Sequence, residues 1–206
     1  MDRPLVIVVE GVLDAKFLQG LSDQVQPDVS DLPDLRHLTN AGQVVWIPAG
    51  GGDLRAWVTR LTPLGVAEFH LYDREQAPET AIRQTVVDQI RQRPGCEAAL
   101  TTKRALENYL HPAAIQAATG ITIDFGDHDP VAERLVRSRP HLEAVWPTFS
   151  RRSRQRLLNL AKRTLNTQAV RHMTADLLAE RDPAGEVLGW FRRIGALLDS
   201  LTPSGD

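Results

Sequence analysis

One cysteine, Cys96, stands in 206 residues, which excludes an intramolecular disulfide framework and any cysteine-rich zinc site. Long hydrophobic runs are missing too. The most regular apolar stretch, Leu5–Val9, is far shorter than the roughly 18 apolar residues that cross a bilayer, and too short for the core of a signal peptide. The expectation is a soluble, cytoplasmic protein with no membrane partner. Charge of one sign is not in excess: 24 Lys and Arg oppose 26 Asp and Glu, a net of −2, so total charge predicts no affinity for nucleic acid. No internal repeat or low-complexity tract is present. What remains is ordinary for a globular chain with a sizeable core: 42% hydrophobic and 24% charged residues.

The pattern along the chain is more informative. Leu5-Val-Ile-Val-Val9 is a continuous, mostly β-branched run, the signature of a strand buried on both faces. Glu10-Gly11 turns it into a predicted helix over about 13–25, followed by a Pro- and Asp-rich loop over 26–34. Further strands are predicted at 44–47, 66–72 and 98–101, with helices at 53–61, 79–92 and 103–110. This alternation predicts an α/β fold with a mostly parallel sheet flanked by helices. Beyond residue 111 a short strand is expected at 121–125. The rest reads as helical, over 130–138, 151–165, 167–181 and 184–198. A composition shift with prolines at 130, 140 and 147 suggests a core over 1–126 and a helical C-terminal region over 127–206.

In open α/β sheets, ligands bind outside the carboxyl ends of the strands, and acidic residues occur at two such points. Glu10 ends the first strand, with Asp14 one helical turn later. Asp73 ends the third, with Glu75 two residues on. Converging carboxylates repel unless cations lie between them, and hard oxygen ligands suit Mg²⁺. The plainer alternatives are helix capping for Glu10 and Asp14 and a solvated turn for Asp73 to Glu75. Glu107, three residues after Arg104, is either a further ligand or one half of a helix-surface ion pair.

Two other features bear on phosphate. Pro48-Ala-Gly-Gly-Gly52 is a glycine turn from strand to helix, but it lacks the Gly-Lys-Ser/Thr ending of a nucleotide-binding P-loop and is read as structural. Between residues 150 and 163 stand Arg151, Arg152, Arg154, Arg156, Lys162 and Arg163 with no acid among them. Such a run suits a phosphate backbone more than a solvated helix face, where signs usually mix. His70 is read as a core histidine, and Asp127-His128-Asp129 as a solvated loop.

The stretch Val9-Glu-Gly-Val-Leu-Asp-Ala-Lys-Phe-Leu18 resembles the opening motif of TOPRIM domains, closest to the version in OLD-family (overcoming lysogenization defect) nucleases. Leu71-Tyr-Asp-Arg-Glu75 resembles their Asp-x-Asp motif, with Glu75 in place of the second aspartate. Lys103-Arg-Ala-Leu-Glu-Asn-Tyr-Leu110 is similar to the Arg-x-x-Glu-Asn-Tyr-Leu segment that follows in OLD-type domains. The three occur in family order across about half the chain. The resemblance implies a TOPRIM fold and two Mg²⁺ or Mn²⁺ ions held by Glu10, Asp14, Asp73 and Glu75, with Glu107 as a further ligand. It also implies phosphodiester hydrolysis of DNA, with RNA as the alternative substrate and a non-catalytic binding module as the alternative role. Glu10 serves as ligand or general base in this reading, and Lys162 is the candidate for a late lysine that stabilises the transition state. Arg104, Arg151, Arg152, Arg154, Arg156 and Arg163 are the candidates for contacting nucleic acid. OLD nucleases carry a fused ATPase, so the resemblance implies a separately encoded ATPase as partner; a homo-oligomer is also compatible with the sequence.

Overall fold

The computed structural model describes residues 3–50 and 53–201. Gly51 and Gly52 of the glycine turn, and the tail after 201, lie outside the described residues. Four strands, β1 (Leu5–Val9), β2 (Val44–Pro48), β3 (Glu68–Tyr72) and β4 (Cys96–Leu100), form one sheet in the order β2-β1-β3-β4, every pair parallel. All five residues of β1 and all five of β3 are buried, as residues of the two inner strands must be when helices cover both faces.

The helices divide between the two faces. The odd-numbered residues of β1 (Leu5, Ile7, Val9) pack with Phe17, Leu18 and Leu21 of α1 (Val12–Val25). Val6 and Val8 point the other way, toward Val86, Val87 and Ile90 of α3 (Glu79–Arg91) and Trp57. Between these helices α2 (Leu35–Asn40) enters under the side-chain cap of Asp34. The C-terminal half contributes α4 (Pro112–Thr119), α5 (Val131–Arg137), α6 (Leu142–Val145), α7 (Arg151–Thr167), α8 (Ala175–Arg181) and α9 (Glu186–Leu201). Val131, Leu135, Leu165, Trp190 and Phe191 join the same hydrophobic cluster as Leu5 and Ile7, so one core runs across residue 126.

Several local expectations change. Residues 121–125 form no strand: Ile123 and Phe125 alternate inward as strand residues would, but the segment pairs with no edge among the described residues. The predicted helices at 53–61 and 103–110 are 3₁₀ turns, Leu54–Val58 and Leu106–Tyr109. The second is held in that form by distant partners. The Asn108 amide donates to the carbonyls of Gly126 and Asp129, both at 3.0 Å, and the Tyr109 hydroxyl donates to Glu186. The predicted helix at 167–181 breaks at Met173, and Thr174 caps α8 by accepting from the Leu177 amide. No helix of the described residues is long and apolar enough to cross a membrane.

Candidate functional site

Strand order decides where a crevice forms. From β1 the chain goes out to β2 on one side, then crosses back to β3 on the other, so the connections leaving β1 and β3 diverge and leave a gap at their carboxyl ends. Glu10 and Asp73 are the residues that follow these two neighbouring strands. One Glu10 oxygen accepts from the Asp73 backbone N–H at 2.8 Å, tying the two strand ends together. Asp14, in the first turn of α1, accepts from the Gly11 N–H at 2.7 Å. The capping alternative for Asp14 therefore holds.

Glu10, Asp14, Asp73 and Glu107 come together here. Burial raises the Asp14 carboxyl to about 7, with Glu107 and then Glu10 adding to the effect against the opposing Gly11 N–H and Lys162. Asp73, 8% exposed, is pushed well above the usual carboxylate range by burial first, then by Glu10, Asp14 and Glu107. Its Oδ1 accepts one hydrogen bond, from the Leu106 N–H at 3.0 Å, which binds the 3₁₀ turn carrying Glu107 to the strand end. Glu107 is 4% exposed and faces Lys162 of α7, whose ammonium lies 3.8 Å away. Glu107 above all, then Asp73, Asp14 and Glu75, raise the Lys162 pKa and keep its ammonium charged. The helix-surface pairing of Arg104 with Glu107 is not the arrangement found: Arg104 lies 3.8 Å from Glu75 instead.

Glu75 stands at the edge of this group. Its backbone is left-handed, φ 53°, a conformation costing a non-glycine residue on the order of 1–3 kcal/mol. Its N–H donates to the Arg104 carbonyl at 3.0 Å. With Arg104, Glu107 and Lys162 it lines a pocket of about 170 Å³ beside the carboxylates.

The remaining basic candidates sit along α7. Arg151, Arg152, Arg156 and Arg163 are exposed. Arg154 donates to the Pro147 carbonyl at 2.8 Å and stacks over Trp146, 5.7 Å to the ring centroid, so its guanidinium is committed within the fold.

Sequence reasoning missed Arg83. Its guanidinium grips both oxygens of Glu10, through Nη1 and, at 3.1 Å, Nη2, and Nη1 also donates to the Asp73 carbonyl at 2.7 Å. The signal was available. Positions 83, 86, 87 and 90 form one stripe of α3 at helical spacing, three of them buried apolar residues. An arginine continuing a buried stripe needs a buried anion.

The donor set is all oxygen and in negative excess, four carboxyls against Arg83 and Lys162, which suits a hard divalent cation. As they stand, no three His, Cys, Asp or Glu side chains among the described residues close into a complete metal-binding group. Arg83 is paired with both oxygens of Glu10. In comparisons with known proteins, no family model matches the chain, and neither does any curated protein or solved structure.

Proposed function

We propose that this chain is a divalent-metal-dependent nuclease that hydrolyses phosphodiester bonds in DNA, built on a TOPRIM-type fold and acting with a separately encoded ATPase. The observation that carries the reading is the unbalanced charge at the β1/β3 crevice. Burial and the carboxyls gathered around them raise Asp14 and Asp73 above the ordinary carboxylate range, the mark of acids brought together with too little positive charge among them. The order of its members along the chain, together with the motif resemblance, supports the same reading.

In this mechanism Asp14 and Asp73 are the ligands for Mg²⁺ or Mn²⁺, with Glu10 and Glu107 completing the set and Glu75 at its edge. The bound ion would supply Lewis-acid polarisation of a phosphoryl oxygen and a water of lowered pKa. The chain's own groups do the rest. Lys162, kept charged by its acidic neighbours, faces the crevice and offsets the negative charge that develops on the phosphoryl oxygens. Glu10 has both oxygens engaged by Arg83, and one of them also by the Asp73 amide, so it is no free base, and it would ligate an ion only once Arg83 moves off it. Arg104, beside Glu75 at the small pocket, is the phosphate contact nearest the carboxylates.

The test is plasmid nicking by purified protein with Mg²⁺ or Mn²⁺, beside Glu10→Ala and Lys162→Ala. The expected result is metal-dependent nicking that each substitution lowers on the order of 10²–10³-fold, the usual cost of a lost charge-stabilising group. Equal nicking by all three proteins would expose a contaminant and remove the site assignment. One observation favours a second reading, a module that binds nucleic acid without cutting: Arg83 already occupies Glu10. Binding to plasmid with no cleavage under either metal would select it.

A further inference from the structure

A groove of about 1060 Å³ runs between α1 and α7, and its walls include direct sequence neighbours of the site residues. Val12 and Leu13, which line it on α1, lie between Glu10 and Asp14 in sequence. Arg163, which lines it on α7, directly follows Lys162. Helix α7 thus presents Leu158 and Lys162 to the carboxylate side, and Asn159, Arg163 and Thr167, each four residues apart, to the groove. We propose that this groove is the track for one sugar-phosphate strand leading to the site, an inference that rests on the nucleic-acid reading of that site.

Charge is the first support. Lys16, Arg36, Arg163 and Arg171 line the groove against one acid, Asp23, and Asp23 is already paired with Arg36. Lys16, Arg163 and Arg171 are exposed and, among the described residues, carry no ion pair with an acid. Three solvated cations in one furrow make a positive lane on a chain of net charge −2. The composition of the walls is the second support. No lining side chain is aromatic, so bases find no stacking platform. Gln24 and Asn159 offer instead the uncharged donors that accompany cations along a phosphate backbone. Length is the third. The α1 wall from position 12 to position 24 spans about 18 Å at ~1.5 Å per residue, room for about five nucleotides at ~3.4 Å each. The groove is therefore a sequence-tolerant backbone track, and it divides the basic run of α7: Arg163 belongs to it, whereas Arg151 and Arg152 lie outside its lining.

The test is anisotropy binding in EDTA to labelled single-stranded DNA and RNA of about 20 nucleotides. It compares the wild-type chain with Lys16→Glu/Arg163→Glu and with Arg151→Glu/Arg152→Glu, with melting curves to show that each folds. The groove pair should lose at least about tenfold in affinity near 0.1 M salt, and its slope of log K against log salt should fall by about 1.4, for two lost phosphate contacts. The distal pair should stay within about twofold of wild type. Equal losses for both pairs, no loss for the groove pair, no binding by the wild type, or equally tight binding of poly-glutamate would overturn the proposal. Tighter binding of the RNA keeps the groove and shifts the substrate to RNA. Since metal is absent, failure of plasmid nicking would sink the nuclease reading without touching this one.

Discussion

Strand β3 carries two buried polar clusters, one on its α3 face and one at its tip, and they behave in opposite ways. On the face, Glu68 is fully buried, with His70 Nε2 at 2.7 Å and the Arg93 guanidinium on both its oxygens. His70 Nδ1 lies 2.8 Å from the Tyr72 hydroxyl. Burial alone would raise the Glu68 pKa, yet the hydrogen bonds from His70 and Arg93 outweigh it and leave the carboxyl below its ordinary value. His70 is also held below its ordinary value, mainly by burial, and stays neutral. A neutral imidazole that donates from Nε2 to Glu68 must accept at Nδ1 from Tyr72, so the chain of groups is complete. At the tip, burial is similar but the partners are wrong. Asp73 and Asp14 face other carboxyls, and their pKa values rise. A satisfied network is a structural element; a frustrated one of the same residue types needs something from outside.

The two clusters should therefore respond to substitution with opposite signs. The largest effect is expected at Glu68→Ala, which strands Arg93 and His70 around an emptied buried position. Unfolding by urea should show a loss of about 3–5 kcal/mol, the usual cost of breaking a buried pair from one side. A loss below about 1 kcal/mol would mean that the network is not what it looks like. Next in size is the cation effect. Mg²⁺ at about a hundred times its dissociation constant should add about 2.7 kcal/mol, a rise in Tm of roughly 5–10 °C for a chain of this length. Asp73→Asn should abolish that rise.

Opposite in sign to Glu68→Ala is the effect of Asp14→Asn on the metal-free protein. Between pH 4 and 7 native Asp14 keeps a proton that the unfolded chain, near 3.8, has released. The native state then binds more protons, so this group's contribution to stability falls as pH rises and is fully lost above about 7. Asparagine removes that loss while still able to accept from the Gly11 N–H. The variant should match wild type near pH 4 and melt progressively higher up to about pH 8, a gain on the order of 4 kcal/mol for the full shift from 3.8 to about 7. A constant offset across that window would show that Asp14 does not titrate there. The depressed groups of the β3 face lose their contribution as pH falls, so acid weakens one cluster while it relieves the other.

The same comparison explains what could be read from the residues alone. The buried strand Leu5–Val9 and its acidic end were legible because a continuous apolar run and a terminal glutamate are local signals. That Glu10 and Asp73 become neighbours depends on strand order, which local pattern does not carry and which the β2-β1-β3-β4 sheet supplies. His70 was legible as a core residue. Its partnership with Glu68 was not, because the strand's alternation only reveals a shared face once both sides are known to be covered. The segment 103–110 departs from the expected helix because its side chains are tied to residues 126, 129 and 186, while its own backbone closes only short 3₁₀ bonds such as Asn108 N–H to the Ala105 carbonyl. Arg83 was readable from its stripe but overlooked, and it is the cation that the tip cluster already holds.

The most direct test is a calorimetric titration of Mn²⁺ and Mg²⁺ into the metal-free protein, with Asp73→Asn and Lys16→Glu beside it. Saturable binding that disappears in Asp73→Asn and persists in Lys16→Glu is the predicted result. No binding by the wild type, or undiminished binding by Asp73→Asn, would contradict the assignment of the β1/β3 carboxylates as a metal centre.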